Sequence, residues 1–116
     1  MIRLKRVYDP ASKADGYRFL VERLWPRGLK KEDLKIDGWL KDAAPSTELR
    51  KWFNHDPAKW REFQRRYFAE LKRNAEAWAP IVAAEKRGNV TLLYSSRDAE
   101  HNNVVALHSF VENFSR

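Results

Sequence analysis

The sequence predicts an α/β fold: a three-layer sandwich whose small mixed or parallel sheet is flanked by helices. Three observations predict it. Strand-like runs open the chain, at residues 2–8 and 17–24. Apolar side chains at helical spacing fill the middle, with Trp60, Phe63, Tyr67 and Leu71 three, four and four residues apart. A short, continuously apolar run, VTLLY at 90–94, leads into a final amphipathic segment. Such a run is what a strand covered on both faces requires.

In the first run, IRLKRVY, Ile2 and Leu4 alternate with Arg3 and Lys5, the two-residue period of a strand. Asp9-Pro10 ends it. The polar stretch up to Asp15-Gly16 is a loop, too short for a full crossover helix. YRFLVERL at 17–24 is the second strand, and its FLV centre again suits double-sided burial. Pro26 and Gly28 stop it. Residues 30–34 fit one helical turn, and IDGWLK at 36–41 a third strand that Gly38 weakens. After Pro45 the period changes. Ser46 caps a short helix, with Glu48 in its first turn and Leu49, Trp52 and Phe53 on one face. Asn54-His55 breaks it. Asp56-Pro57 starts the next helix, an acceptor at the N-cap followed by a proline where no N–H is missed. The outer face of that helix holds Arg61, Glu62, Arg65, Arg66 and Arg73. A further helix carries Ile81 and Val82 and ends at Arg87-Gly88, with Pro80 at its start or at a kink in its approach. The last helix runs over 99–114, capped by Asp98, with Val104, Leu107, Val111 and Phe114 toward the core. No repeat, low-complexity tract or linker interrupts the pattern, so residues 1–116 read as one Rossmann-like domain.

Composition narrows the function classes. A chain of 116 residues, 43% of them apolar, builds a core without staples. It has no cysteine, which excludes a disulfide framework, a thiolate zinc site and a cysteine nucleophile. No apolar run approaches the ~20 residues that span a bilayer, and MIRLKRVYDP lacks the apolar region of a secretory signal. A cytoplasmic protein without a membrane partner is expected. The net charge of +7 makes this a basic protein that attracts nucleic acids, phosphorylated metabolites and anionic surfaces. Yet 16 acidic residues are interspersed among 23 lysines and arginines, the pattern of a solvated surface rather than a dedicated tract. Five tryptophans, Trp25, Trp39, Trp52, Trp60 and Trp78, are expected mostly in the core or at its edge.

In open α/β sheets, ligands gather beyond the carboxyl ends of the strands. Two such ends carry chemistry-bearing residues. One is ERLWPRG, with Arg23, Trp25 and Arg27. The other is YSSRDAEHNN at 94–103, with Ser95, Ser96, Asp98, His101, Asn102 and Asn103. It leads into the last helix, whose N-terminus adds free N–H groups and a positive dipole end. If the two strands run parallel, both ends share a rim and make a site for a phosphate or carboxylate, with Arg50 and His55 completing it.

Each residue also has an architectural reading. Arg23 pairs with Glu22, Asp98 or a helix end, Trp25 fills the core, and His55-Asp56-Pro57 is a helix-start turn. His101, Asp98 and His55 are the candidates for acid–base chemistry. Serine chemistry at Ser95 or Ser96 requires His101 within hydrogen-bond reach. The residues admit an enzyme and a binding module alike. Three scattered histidines predict no metal site, four isolated glycines no phosphate loop, and no cofactor is implied. The nucleic-acid alternative rests on Lys59, Arg61, Arg65, Arg66, Lys72 and Arg73 over 57–74. Glu62 and Glu70 interrupt that face, and no helix-turn-helix, RRM or zinc-finger pattern accompanies it. A third reading makes the arginine–tryptophan signature purely structural, in a protein-interaction module.

RVYD, LVERLWPRGL, APSTELRKWFNHDPAKWREFQRRYFAEL and TLLYSSRDAEHNN together resemble the DUF488 family, in its short YeaO-like branch, over about residues 6–110. The resemblance implies a compact α/β domain and, the family being uncharacterised in function, little chemistry. The family's strand-end arginine and WPRG turn match Arg23, Trp25, Pro26, Arg27 and Gly28. Its helix-pair signature matches Leu49, Arg50, Trp52, Phe53, His55, Asp56 and Pro57, and its last loop Asp98, Glu100, His101, Asn102 and Asn103. Two departures stand out. Many members have Asp at the position of Glu22. Longer relatives carry Cys and Cys-His-Arg around the final strand and helix start, where this chain has Tyr94 or Ser95 and the HNN stretch. A thiol mechanism suspected for those relatives does not extend to this chain.

Overall fold

Four short strands, β1 (Ile2–Arg6), β2 (Tyr17–Leu20), β3 (Gly38–Trp39) and β4 (Val90–Tyr94), form one sheet in the order β1-β4-β2-β3. Every pairing is parallel, which settles the two forms the sequence allowed. The computed structural model describes residues 1–114. β4 lies between β1 and β2, and all five of its residues are buried. Its register defines two faces, because side chains alternate along a strand. Val90, Leu92 and Tyr94 share one face with Ile2 and Phe19; Thr91 and Leu93 share the other with Arg18 and Leu20.

The first face meets all four α-helices: α1 (Thr47–Phe53), α2 (Trp60–Lys72), α3 (Ala75–Glu85) and α4 (Asn103–Phe114). α2 delivers Phe63, Tyr67 and Leu71, α4 delivers Val104, Leu107 and Val111, and Leu49, Phe53, Trp78 and Ile81 fill the remainder. Phe53 stacks on Phe63 with ring centroids 4.3 Å apart. The second face is covered by the β1–β2 and β2–β3 connections, which hold single 3-10 turns at Lys13–Asp15 and Lys31–Asp33. There Val7, Leu20, Leu34 and Leu93 make a smaller core. Trp25 and Trp39 close it, meeting edge to face at 5.3 Å. The three layers are therefore helices, sheet, and loops built around two tryptophans.

Several elements are shorter than their sequence patterns. The apolar patterns run past Arg6 and Leu20 because the next residues still bond to β4: Val7 N–H donates to Tyr94 O at 2.8 Å and Val21 N–H to Leu93 O at 3.3 Å. Pro80 sits inside α3 rather than at its start. It is exposed there, as is Glu76 one turn earlier, so water meets the carbonyl that the proline leaves unpaired. α2 is preceded by a 3-10 turn at Pro57–Lys59, with Asp56 accepting from Ala58 N–H at 3.0 Å as the start signal requires. α4 begins at Asn103 instead of 99, for a capping reason given below. Phe114 is exposed, although its ring meets Trp78 at 4.7 Å.

A polar cluster is buried beside the second face. Asp15 and Arg18, 2% and 6% exposed, form an ion pair. Lys5 Nζ stands 3.0 Å from Asp15 Oδ1, and Ser12 N–H donates to Oδ2 at 3.0 Å. Arg18 Nε donates to Lys35 O at 2.6 Å, and Thr91 Oγ1 to Asp15 O at 2.8 Å. The cluster ties β1, β2 and β4 to both connections. Gly16 follows at φ 64°, and a Cβ there would stand 2.1 Å from Asn89 O. That same carbonyl accepts from Tyr17 N–H at 2.9 Å and starts β2 on β4, so it cannot move away. Gly16→Ala is expected to cost about 3 kcal/mol or more, from a backbone clash added to a disfavoured φ. Urea unfolding measures it, and an unchanged midpoint would show that the turn has another solution.

Candidate functional site

Because every strand runs the same way, their carboxyl ends share one edge. An open cleft of about 610 Å³ lies along it, lined by Tyr8, Glu22, Arg23, Trp25, Arg27, Arg50, His55, Ser95, Ser96, Arg97 and Asp98. A smaller, more enclosed chamber of about 120 Å³ adjoins it. The chamber shares Glu22, Arg23, Arg50, His55, Ser95 and Ser96 with the cleft and reaches Phe53, Phe63, Asn102 and Asn103. The two strand ends singled out in the sequence thus meet, together with Arg50 and His55 from the end of α1.

The loop after β4 is clamped from both sides. Arg6, the last residue of β1, donates to Ser95 O at 3.1 and 3.2 Å and to Ser96 O at 3.0 Å. Glu22 Oε1 accepts from Ser95 N–H and from Ser95 Oγ, both at 2.8 Å. Burial pushes the Glu22 carboxyl above the usual carboxylate range. The two Ser95 hydrogen bonds and the nearby Arg50 and His55 pull it down without cancelling that effect.

Arg23 takes neither Glu22 nor Asp98 as partner. It donates through Nε to Pro45 O at 2.9 Å and through Nη2 to Ala44 O at 3.3 Å, with Asp42 at 3.6 Å. The segment it grips is fixed from behind. Tyr67 donates to Ala43 O, and Ser46 N–H and Oγ donate to Glu70 at 2.9 and 2.6 Å. Trp25 donates to Leu29 O at 2.6 Å and packs against the smaller core while edging the cleft.

The cap of α4 is Asn102, not Asp98. Its Oδ1 accepts from Val104 N–H and Val105 N–H at 2.9 and 3.0 Å, and its Nδ2 donates to Asp98 O at 2.8 Å. Asn103 Nδ2 donates to Val21 O at 2.8 Å. Two of the N–H groups that the sequence offered to an anion at this helix end, those of Val104 and Val105, are therefore met by the helix's own cap. Asp98 instead shapes the preceding turn, accepting from Glu100 N–H at 2.9 Å and His101 N–H at 3.0 Å. Those backbone hydrogen bonds, with the His101 ring at 3.0 Å, hold its carboxyl below the ordinary value. The His101 ring packs edge to face on Trp60 at 5.4 Å and does not line the cleft. Among the described residues no hydrogen bond joins it to Ser95 or Ser96, so a serine–histidine pair is not assembled.

His55 sits in the turn that its architectural reading expects, and it also lines the cleft. α1 ends in two consecutive non-glycine residues with positive φ, Asn54 at 46° and His55 at 56°, and Asp56-Pro57 then starts the next turn. The turn exposes His55 to the cleft and the chamber. Backbone strain of this kind gathers where a side chain must be presented.

Arg27, Arg50 and Arg97 line the cleft with no side-chain hydrogen bond or ion pair among the described residues. Arg97 was not singled out in the sequence. Its one signal is its place three residues past the end of β4. Arg6 was missed as well, since its partners follow from the β1–β4 register and not from any local pattern. Away from the cleft, the basic face of α2 is largely engaged: Glu62 pairs with Arg65 at 2.6 Å and Arg66 at 2.7 Å. Arg66 and Lys59 lie over the Trp52 ring at 4.3 and 5.0 Å. Among the described residues, no three His, Asp or Glu side chains gather where they could hold a metal ion. No helix there is long and apolar enough to cross a membrane.

Comparison with known proteins gives close relatives. The uncharacterized protein YeaO of Escherichia coli (strain K12) is 45% identical over 106 residues, covering 91% of this chain and 92% of YeaO. The uncharacterized protein MT3158 of Mycobacterium tuberculosis (strain CDC 1551 / Oshkosh) is 39% identical over 106 residues, 91% of this chain and 89% of that protein. No solved structure matches. The family model described as the inactive DUF488-N3 subclade matches residues 1–115, and the chain belongs to that subclade of the DUF488 family.

Proposed function

We propose that the chain binds a small anion, a phosphate ester or a carboxylate, in the cleft at the carboxyl edge of its sheet, and performs no reaction on it. One observation carries this reading: the side chains of Arg27, Arg50 and Arg97 line a single concave site and make no hydrogen bond or ion pair among the described residues. By contrast, Arg6, Arg18 and Arg23 are all tied to carbonyls or a carboxylate. Unpaired guanidinium groups around a cleft sum to a positive potential that draws anions in. Their planar forks suit oxyanions bidentately. Ser96, whose hydroxyl oxygen accepts from Asp98 N–H at 3.1 Å, keeps its proton to donate. The anion is thus held by Arg27, Arg50, Arg97 and Ser96. Arg23 and Trp25 wall the cleft, Asn102 and Asn103 wall the adjoining chamber, and Arg6 and Glu22 hold the Ser95–Ser96 loop. Among the described residues no hydrogen bond joins Ser95 or Ser96 to a histidine, and this, with the description of the subclade as inactive, favours binding over catalysis. A cytoplasmic location belongs to the same reading.

Thermal-shift measurements on wild type, Arg23→Ala and Arg50→Ala test it, with phosphate, sulfate, organic phosphates, carboxylates and short oligonucleotides as probes. A ligand of the native state raises the melting temperature with its concentration, by about 2.7 kcal/mol of stability at a hundred times its Kd. An organic anion is expected to stabilise wild type and to lose that effect in Arg50→Ala, whose own melting temperature is unchanged. Arg23→Ala is expected to melt about 5–10 °C lower, from roughly 1–2 kcal/mol of lost hydrogen bonding to Ala44 and Pro45. No shift with any anion, or an undiminished shift in Arg50→Ala, would refute the proposal.

A further inference from the structure

Glu22 is an odd side chain to find in a cleft for an anion. Glu22 lines both the cleft and the chamber. Only one of its oxygens is used, since both Ser95 donors go to Oε1. Oε2 accepts from nothing among the described residues. Nor is it sealed off, because no buried side-chain oxygen or nitrogen there lacks a partner. No ion pair reaches it either: Arg23 is turned to Ala44 and Pro45, and Arg50 and His55 act on the Glu22 charge without bonding to it. An open acceptor beside three open guanidinium groups is complementary to a molecule with an anion at one end and a hydrogen-bond donor at the other.

Three features narrow that molecule. The cleft's four guanidinium groups, Arg23, Arg27, Arg50 and Arg97, set against two carboxylates, Glu22 and Asp98, balance a dianion better than a monoanion, which favours a phosphate over a carboxylate. The donor is neutral, because Arg23 and Arg50 also line the chamber and would oppose an ammonium. It is also short, because the chamber, at about 120 Å³, is smaller than the ~150 Å³ cavity that takes up a benzene. Resting on the anion reading above, we infer that the ligand is a hydroxylated organic phosphate, its phosphate among Arg27, Arg50 and Arg97 and a hydroxyl donating to Glu22 Oε2.

Glu22→Gln separates this from a simple anion site. The Ser95 N–H cannot rotate away and needs an acceptor, so the amide oxygen stays on Ser95 and the NH₂ replaces Oε2. The cleft then presents a donor where it had an acceptor, and loses a negative charge. Calorimetric titrations of wild type and E22Q with inorganic phosphate, ethyl phosphate and glycerol phosphate read the difference, with circular dichroism to confirm the fold. Wild type is expected to bind glycerol phosphate at least ~10-fold more tightly than ethyl phosphate, the yield of one hydrogen bond to a charged acceptor. E22Q is expected to erase that preference and to bind ethyl phosphate more tightly than wild type does. Equal affinities in wild type, or a preference that survives in E22Q, overturn the hydroxyl inference while the anion reading stands. Failure of all three probes to bind wild type overturns both. If E22Q does not fold, the wild-type comparison decides alone.

Discussion

Asp15→Ala is expected to destabilise the protein by about 3–5 kcal/mol, the usual consequence of deleting one member of a buried ion pair. The loss comes from what stays behind. Arg18 is 6% exposed and, among the described residues, has no other carboxylate on its guanidinium, only the Lys35 carbonyl. Lys5 and the Ser12 N–H lose the same acceptor. For a domain whose whole stability is ~5–15 kcal/mol, such a change comes near to unfolding it. The same carboxyl makes acid stability predictable. Burial raises its pKa, but the Ser12 N–H, Lys5 and Arg18 together outweigh burial and hold it at about 2. The folded pKa lies below the unfolded one, so the contribution is complete above about pH 5 and is lost as pH falls toward 2. At 1.36 kcal/mol per unit this amounts to about 2 kcal/mol. Urea unfolding of wild type and Asp15→Ala at pH 7 and pH 3 should show a gap that narrows in acid. A constant gap would place the role of Asp15 in packing rather than charge.

The double variant Arg50→Ala/Arg97→Ala is expected to lose ~100-fold or more in affinity for an organic phosphate, since each charge-assisted hydrogen bond contributes about 1.5–3 kcal/mol. Its folding stability should stay within about 0.5 kcal/mol of wild type, as for surface changes that break no contact. That expectation follows from the absence of any side-chain partner for either residue among the described residues. The combination is diagnostic. A structural arginine such as Arg23 loses stability when truncated; a ligand-binding arginine loses affinity alone. Isothermal titration paired with a melting curve reads both, and a double variant that melts several degrees lower would place Arg50 and Arg97 with the architecture instead.

The parts of the fold written locally were readable from sequence. VTLLY at 90–94 coincides with β4 because a strand buried on both faces leaves one signature, an uninterrupted apolar run. The α2 stripe places Phe63, Tyr67 and Leu71 in the core for the same kind of reason. What depends on distant partners was less readable. Arg23 reaches carbonyls at Ala44 and Pro45, far along the chain. Asn102 and Asp98 are both good caps in isolation, and only the path of the loop gives α4 to Asn102. The edge of the sheet that carries the cleft followed from strand direction, and Arg27, Arg50, His55, Ser95 and Ser96 line that cleft. Arg97 and the open oxygen of Glu22 became visible only once the hydrogen-bond partners around them were known.

The most direct test of an anion site at the sheet edge is a titration of the protein's amide NMR spectrum with glycerol phosphate. Shifts concentrated at Arg27, Arg50, His55, Ser95, Ser96 and Arg97, saturating with concentration, are the predicted result. Shifts centred on Arg61, Arg65 and Arg73 along α2, or none at all, would contradict it.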